Sequence, residues 1–267
     1  MPSNSSDITW TEKTALIIGR AYPEPSRRHI ETVCTGAITE DGELLRLYPI
    51  PLPLRYLQDS QRYKLWTWAR FEIQKSQNDK RKESFRVRED SIKIISQVES
   101  KGEQFALLQK AIVKDRETLD KNYRNDWTSL GIIPIEFIDL EPRLPRTSWK
   151  LDKSYIDQAN LFVEKKPLEQ PPIELRLTFR CKNNPTCRHH GSRLIAWEYM
   201  EAFRKFRQRY GSSLAAFGRI KDALFKQSSS PRVSTYALMG THSRYPIWMV
   251  GQLYFIENTA VESPMLF

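Results

Sequence analysis

Residues 179–211 read FRCKNNPTCRHHGSRLIAWEYMEAFRKFRQRYG, a stretch holding two of the chain's three cysteines, two of its four histidines and its most basic helical pattern. Cys181, Cys187, His189 and His190 each offer a sulfur or an imidazole nitrogen to a divalent metal of borderline softness, zinc before iron or magnesium. The C-x5-C spacing is wider than structural zinc sites commonly use, so it needs a loop rather than a tight knuckle. Asn183, Asn184 and Pro185 supply that loop, Asn tolerating left-handed backbone angles and Pro fixing its own. The fourth ligand is open between the second histidine, His242 and Cys34. The plainer reading is a turn before a helix, with Cys181 packed as a small apolar residue and both histidines solvated.

Working outward, Ile173–Phe179 alternates as a strand leading into the cysteines. After them, Gly191 and Ser192 read as the start of a helix, Ser192 as its cap, running to a stop at Gly211. Its apolar positions Ile195, Tyr199, Ala202, Phe203, Phe206 and Tyr210 recur three or four apart and form one stripe. Arg204, Lys205, Arg207 and Arg209 mostly lie off it, as a phosphate-tracking surface or simply as a solvated face. A second helix follows over 212–226. Strands over 233–239 and 247–256 close the chain, joined by a loop that carries His242 and Arg244.

The first half reads differently. TALIIGRAY is a strand ended by two prolines, and 31–39 and 43–48 are strands turning at Asp41–Gly42, a strong hairpin signal. Pro49, Pro51 and Pro53 mark a crossing or edge segment. In YKLWTWARFEIQK, Trp66, Trp68 and Arg70 share a strand face, where rings stack bases and cations hold phosphates; core packing is the plainer account. Residues 77–88 read as a basic loop, 91–98 as a strand, 103–123 as one helix and 131–140 as a strand. The fold class is therefore α+β. It comprises a β-rich unit over 1–146 with one long helix, a small barrel being open to it, and a mixed unit over 173–267 with the Cys/His knuckle. A charged, proline-punctuated connector spans 147–172, and no internal repeat is visible.

Composition bounds the function. With 42 Lys and Arg against 32 Asp and Glu in 267 residues, the chain carries +10 and a pI near 9.5. Such a charge concentrates polyanions, nucleic acid foremost. Mean hydropathy is −0.57, no apolar run is long enough to span a bilayer, and Met1–Asp7 has none of the features of a secretory signal. Three cysteines are too few for a disulfide framework, which favours a reducing cytoplasm. Nucleotide-cradling, HExxH and GxSxG motifs are absent. The acid–base candidates are Glu198 and His242, beside His190, a set that a metal-dependent nuclease would use.

RAYPEPS, ETVCTGAITEDGELLRLYPIPL, FRCKNNPTCRHHG with IAWEYMEAFRKFRQRYG, and ALMGTHSRYPIWMVGQL together resemble a family of uncharacterised prokaryotic proteins often encoded among mobile-element and defence genes. The resemblance covers most of the chain in the same order. It implies Cys181, Cys187 and His190 as ligands, with His189 at a position commonly Gly. It also implies an acid before the helix Trp. Here that position is Ala196, a departure that favours binding over catalysis and leaves Glu198 as the nearby acid. The expectation is a cytoplasmic, zinc-braced protein binding DNA or RNA. A metal-dependent nuclease and a non-catalytic subunit docking an acidic protein partner are the alternatives.

Overall fold

The computed structural model describes residues 9–26, 30–51, 64–76, 79–145 and 170–258. Its first seven strands are β1 (Thr11–Arg20), β2 (Glu24–Ser26), β3 (Ile30–Ile38), β4 (Leu44–Pro51), β5 (Thr67–Lys75), β6 (Ser84–Val87) and β7 (Lys93–Gln97). β1, β3, β4, β6 and β5 pair in that order, and β5 returns to β1, so five strands close a ring; β2 and β7 are added to β3 and β5. All neighbours in the ring are antiparallel except β4 and β6. Ala15, Ile17, Leu45, Leu47 and Phe71 fill the interior. Alternation along β1 sends Leu16 and Ile18 outward, yet both are fully buried. Something must cover them.

The cover is a second ring. β8 (Leu130–Arg143), β9 (Glu174–Cys181), β10 (His190–Leu194), β11 (Val233–Thr241) and β12 (Trp248–Glu257) close in the order β8-β9-β10-β12-β11, with β10 and β12 parallel. The chain therefore repeats one topology, first-second-third-fifth-fourth strand, although its two halves share no visible sequence period. Two helices lie at the junction, α1 (Lys101–Gln109) and α2 (Arg116–Asp126). Two more, α3 (Trp197–Tyr210) and α4 (Ser213–Ser228), link β10 to β11 and send Met200, Phe203, Phe217 and Ile220 into the second barrel's core.

Leu16, Ile18 and Ile38 of the first barrel meet Ile132, Leu238, Tyr254 and Ile256 of the second, with Phe105 and Leu108 of α1 beside them. Gly19 and Gly36 are cross-strand partners. A Cβ on them would lie 2.8 Å and 3.0 Å from Leu238 Cδ2, so the glycine pair forms the socket for that leucine. Tyr254 Oη donates to the Ile18 carbonyl at 2.7 Å.

Several expectations are corrected. Pro49 and Pro51 lie within β4, because beyond Leu47 its only partner among the described residues is β3 and no donor is needed on the other side. β6 falls in the stretch read as a basic loop; four residues with Arg86 among them give too short a pattern. The long helix is two, because Val113 N–H donates to Ile132 O (2.7 Å) and Asp115 then caps a new helix through Thr118 N–H (2.8 Å). Ser192 is a buried residue of β10 opposite Leu177, and the helix begins only at Trp197, after an Ala196 with no side-chain cap. Leu130–Arg143, assigned to the first unit, is a strand of the second barrel. The barrels thus part within the helical stretch. Residues 147–172 join two strands of one barrel, and of that connector 147–169 lie outside the described residues.

A polar contact also ties the barrels. Arg81, in the β5–β6 loop, donates to the Thr241 carbonyl at 2.7 Å while its fork holds Asp79 at 2.5–3.1 Å. Burial pushes the Asp79 carboxyl up, but the Arg81 hydrogen bonds and charge outweigh it and hold it at about 2, against 3.8 normally. A depressed carboxylate contributes stability above its unfolded pKa, lost as pH falls through the folded value. Between pH ~4 and ~2, native protein should therefore lose about 2 kcal/mol more than Asp79→Asn. Chemical denaturation across that window measures the difference; parallel curves would contradict it.

Candidate metal centre and basic face

β9 ends at Cys181, buried, and the chain then turns twice: Asn184 N–H donates to Cys181 O (3.3 Å) and Cys187 N–H to Asn184 O (3.0 Å). The Asn184 side chain locks the second turn by accepting from Thr186 N–H and Oγ1. This is the loop that the wide spacing requires. It brings Cys187 Sγ to 3.2 Å from the Cys181 N–H and to 3.2 Å from His190 Nε2.

The fourth group comes from α2. Glu117 Oε1 lies 3.2 Å from His190 Nε2, and its Oε2 lies 3.8 Å from Cys181 Sγ. Ligand atoms of Glu117, Cys181, Cys187 and His190 all lie within 4.8 Å of one another, a set able to hold a metal ion. Asn184 Nδ2 ties the turn to Asp115 and Glu117. Arg116 N–H, in the first turn of α2, donates to Cys181 Sγ at 3.4 Å, so the positive end of the helix faces a sulfur. Without an ion, burial pushes the Cys181 thiol up to about 12. A cation bound there would displace that proton.

His189 is exposed and outside the cluster, because neighbours at the start of a strand point to opposite sides. His242 and Cys34, the other candidates for the fourth place, instead line a cleft between the barrels. Glu117 was missed because it lies far upstream on a separate helix and nothing local marks it.

The remaining candidates are dispersed. Glu198 accepts from Arg20 Nη2 at 2.7 Å, and His242 Nδ1 accepts from Arg244 N–H at 3.1 Å; neither joins a metal cluster among the described residues. Burial holds the His242 imidazole below its ordinary pKa. Trp66, in a left-handed conformation, lies against Tyr254 with ring centroids 5.6 Å apart. Trp66 and Trp68 both pack against the cluster between the barrels, while Arg70 is exposed beside Glu12 at 3.7 Å. On α3, Arg204 and Lys205 are drawn to Glu201 (2.7 and 3.9 Å), and Arg209 lies over Tyr210; Arg207 is half-buried.

A basic face not read from the sequence lies on the second barrel. Alternation along β9 buries Leu175, Leu177 and Phe179 and turns Arg176 and Arg180 outward. Arg193 of β10 stands directly opposite Arg176. Arg180 is paired with Glu136 and Arg193 with Glu174, whereas Arg176 makes no ion pair among the described residues. It lies flat across Gly191, where any Cβ would collide with its guanidinium. The like charges face each other across the strand pair, and the carboxylates of Glu174, paired with Arg193, and Glu141, opposite Arg176 on β8, partly offset them.

Fold and site together define a tandem of five-stranded Greek-key barrels of the OB class, with a Cys/His/Glu cluster able to hold a metal ion in the second. Residues 113–266 match the family described as "Domain of unknown function (DUF8757)", and residues 11–114 match "Domain of unknown function (DUF8758)". The first match spans more than half of the chain, which belongs to the DUF8757 family. The two matches meet where the barrels part. No curated protein matches the chain. The crystal structure of the tetrameric p202 HIN2 is similar over 96% of this chain and 100% of that one, at 6% identity and a TM-score of 0.32. At that score the likeness supports no inference. Among the described residues no helix is long and apolar enough to cross a membrane.

Proposed function

We propose that this is a nucleic-acid-binding protein in which zinc braces the second barrel. The observation that carries the reading is Arg176 opposite Arg193 on the face built by the barrel's second and third strands, where Arg176 makes no ion pair among the described residues. That face and the fourth-to-fifth-strand loop are where OB barrels take oligonucleotides. The corresponding loop here, between β11 and β12, carries Arg244 and an exposed Tyr245 suited to stacking. The chain's +10 supports the same partner.

Two thiolates, one imidazole and one carboxylate suit zinc in a closed, four-ligand structural site. Such a site fixes β9 and β10, and so the basic face, against α2. The nuclease alternative needs Glu198 and His242 at a metal, and neither is in the cluster. The motif resemblance is the ground for placing the protein in a prokaryotic cytoplasm among mobile-element or defence functions.

Anisotropy with labelled single-stranded and duplex DNA and RNA over a salt series tests the reading. Affinity should fall steeply, log K against log salt sloping at about −0.7 to −0.9 per phosphate engaged. No binding to any of the four at low salt would overturn it.

A further inference from the structure

Between the barrels lies a cleft of about 280 Å³. Its floor carries two buried guanidinium groups. Arg46, 3% exposed, donates to Ser84 Oγ (3.3 Å), Ser129 Oγ (2.6 Å) and the Ser129 carbonyl (2.9 Å), and makes no ion pair among the described residues. Arg81, 8% exposed, has Asp79 as its counter-charge. Glu83 lies behind Ser129, its carboxylate occupied by Ser129 N–H and Oγ and by Leu130 N–H. Burial, with Arg81 adding to it, pulls the Arg46 pKa down to about 10, while Cys34, Glu83 and Asp79 work the other way.

A second, independent feature points the same way. Thr241 lines the cleft at 2% exposure, and its Oγ1 has no hydrogen-bond partner among the described residues. An unmade bond of this kind is unfavourable, and a ligand oxygen would supply it. The walls are of mixed character. Tyr22, Leu194, Met200 and Met249 make an apolar side, while Thr32 and Tyr48, on the second and third strands of the first barrel, bring hydroxyls. Glu24 and Glu174 also line the cleft. A pure lipid would waste the hydroxyls, and a bare inorganic anion would leave the apolar side empty.

We propose that the cleft binds a nucleoside phosphate, its phosphate held by Arg46, Arg81 and Thr241 Oγ1 and its nucleoside against the apolar wall. The choice of a nucleoside as the body rests on the OB reading above; the anion site does not. A free nucleotide and the 5′-terminal nucleotide of a phosphorylated strand share this chemistry.

Calorimetry and thermal melting of the full chain with AMP, ATP and inorganic phosphate, beside strands ending in 5′-phosphate or 5′-hydroxyl, test the proposal. Thr241→Val removes the orphan hydroxyl with little change of shape. It should melt no lower than native protein yet bind roughly tenfold more weakly, the worth of one hydrogen bond to a charged group. Arg46→Met should abolish phosphate-dependent binding. Mononucleotide binding lost in these variants identifies a free nucleotide as the ligand; preference for 5′-phosphorylated strands alone, lost likewise, identifies a strand end. If neither nucleotides nor the 5′-phosphate matter, or Thr241→Val binds like native protein, the proposal fails. Strand binding indifferent to the 5′-phosphate, with no nucleotide binding, overturns the cleft alone. Nucleotide binding without any strand affinity overturns the nucleic-acid reading alone.

Discussion

Cys187→Ser is expected to abolish stoichiometric zinc and to lower the melting temperature by about 10 °C or more. Structural zinc contributes binding free energy directly to folding, and a loss of several kcal/mol in a chain of this size corresponds to a shift of that order. The cluster joins elements that, among the described residues, are otherwise tied by hydrogen bonds from Asn184 and the Arg116 amide and by the packing of Leu119: the β9–β10 turn on one side and α2 on the other. Losing it loosens the turn against α2, which Leu119 and the Trp248–Asp120 hydrogen bond still hold on the barrel. A chelator should reproduce the loss in native protein. Glu117→Gln, which keeps three ligands, should cost less, and His189→Ala, outside the cluster, should cost nothing. Native protein that purifies without metal and melts identically with and without chelator would contradict the account.

Leu238→Ala is expected to destabilise the whole chain by about 3 kcal/mol, in a single transition. Leu238 belongs to the second barrel but is buried at 3% exposure over Gly19 and Gly36 of the first. Its truncation leaves a cavity that two glycines cannot fill. Because Leu16, Ile18, Tyr254 and Ile256 share the same cluster, the barrels should unfold together. Gly19→Val should be damaging for the opposite reason, since even its Cβ lies too close to Leu238. Two separate unfolding transitions, with only one moved by Leu238→Ala, would show that the barrels are independent.

Much of the strand inventory was legible because β1, β3, β5, β8, β9, β11 and β12 have strong apolar patterns and clear punctuation. In β1 the run Ala15–Ile18 is apolar on both faces, which announced burial but not what buries it. The covering surface comes from strands more than a hundred positions away, and no local pattern encodes that. β6 and β10 were lost for a different reason. SFRV and HGSRL are short, carry charge, and are held by their barrel neighbours rather than by their own propensity.

The candidate metal centre was half legible. Cys181, Cys187 and His190 sit on one loop, and the turn residues that converge them are sequence-local. Glu117 is brought by tertiary packing of α2 against that loop. The basic helix drew attention through composition, but a charge count cannot see that Glu201 neutralises part of it. Arg176 and Arg193 look unremarkable in sequence and become a pair only through the strand register. Trp66 and Trp68 followed the usual fate of tryptophans and went to the packing between the barrels.

The most direct test of nucleic-acid binding compares native protein, the Arg176→Ala/Arg193→Ala pair and the Arg204→Ala/Lys205→Ala pair in one anisotropy titration across salt concentrations. The first pair should weaken binding at least tenfold and flatten the log–log salt slope by about 1.5, close to two phosphate contacts. The α3 pair, drawn to Glu201, should change affinity by less than about threefold. Equal affinity and slope for native protein and the Arg176/Arg193 pair would contradict the account, because the face on which it places the nucleic acid would then take no part in binding.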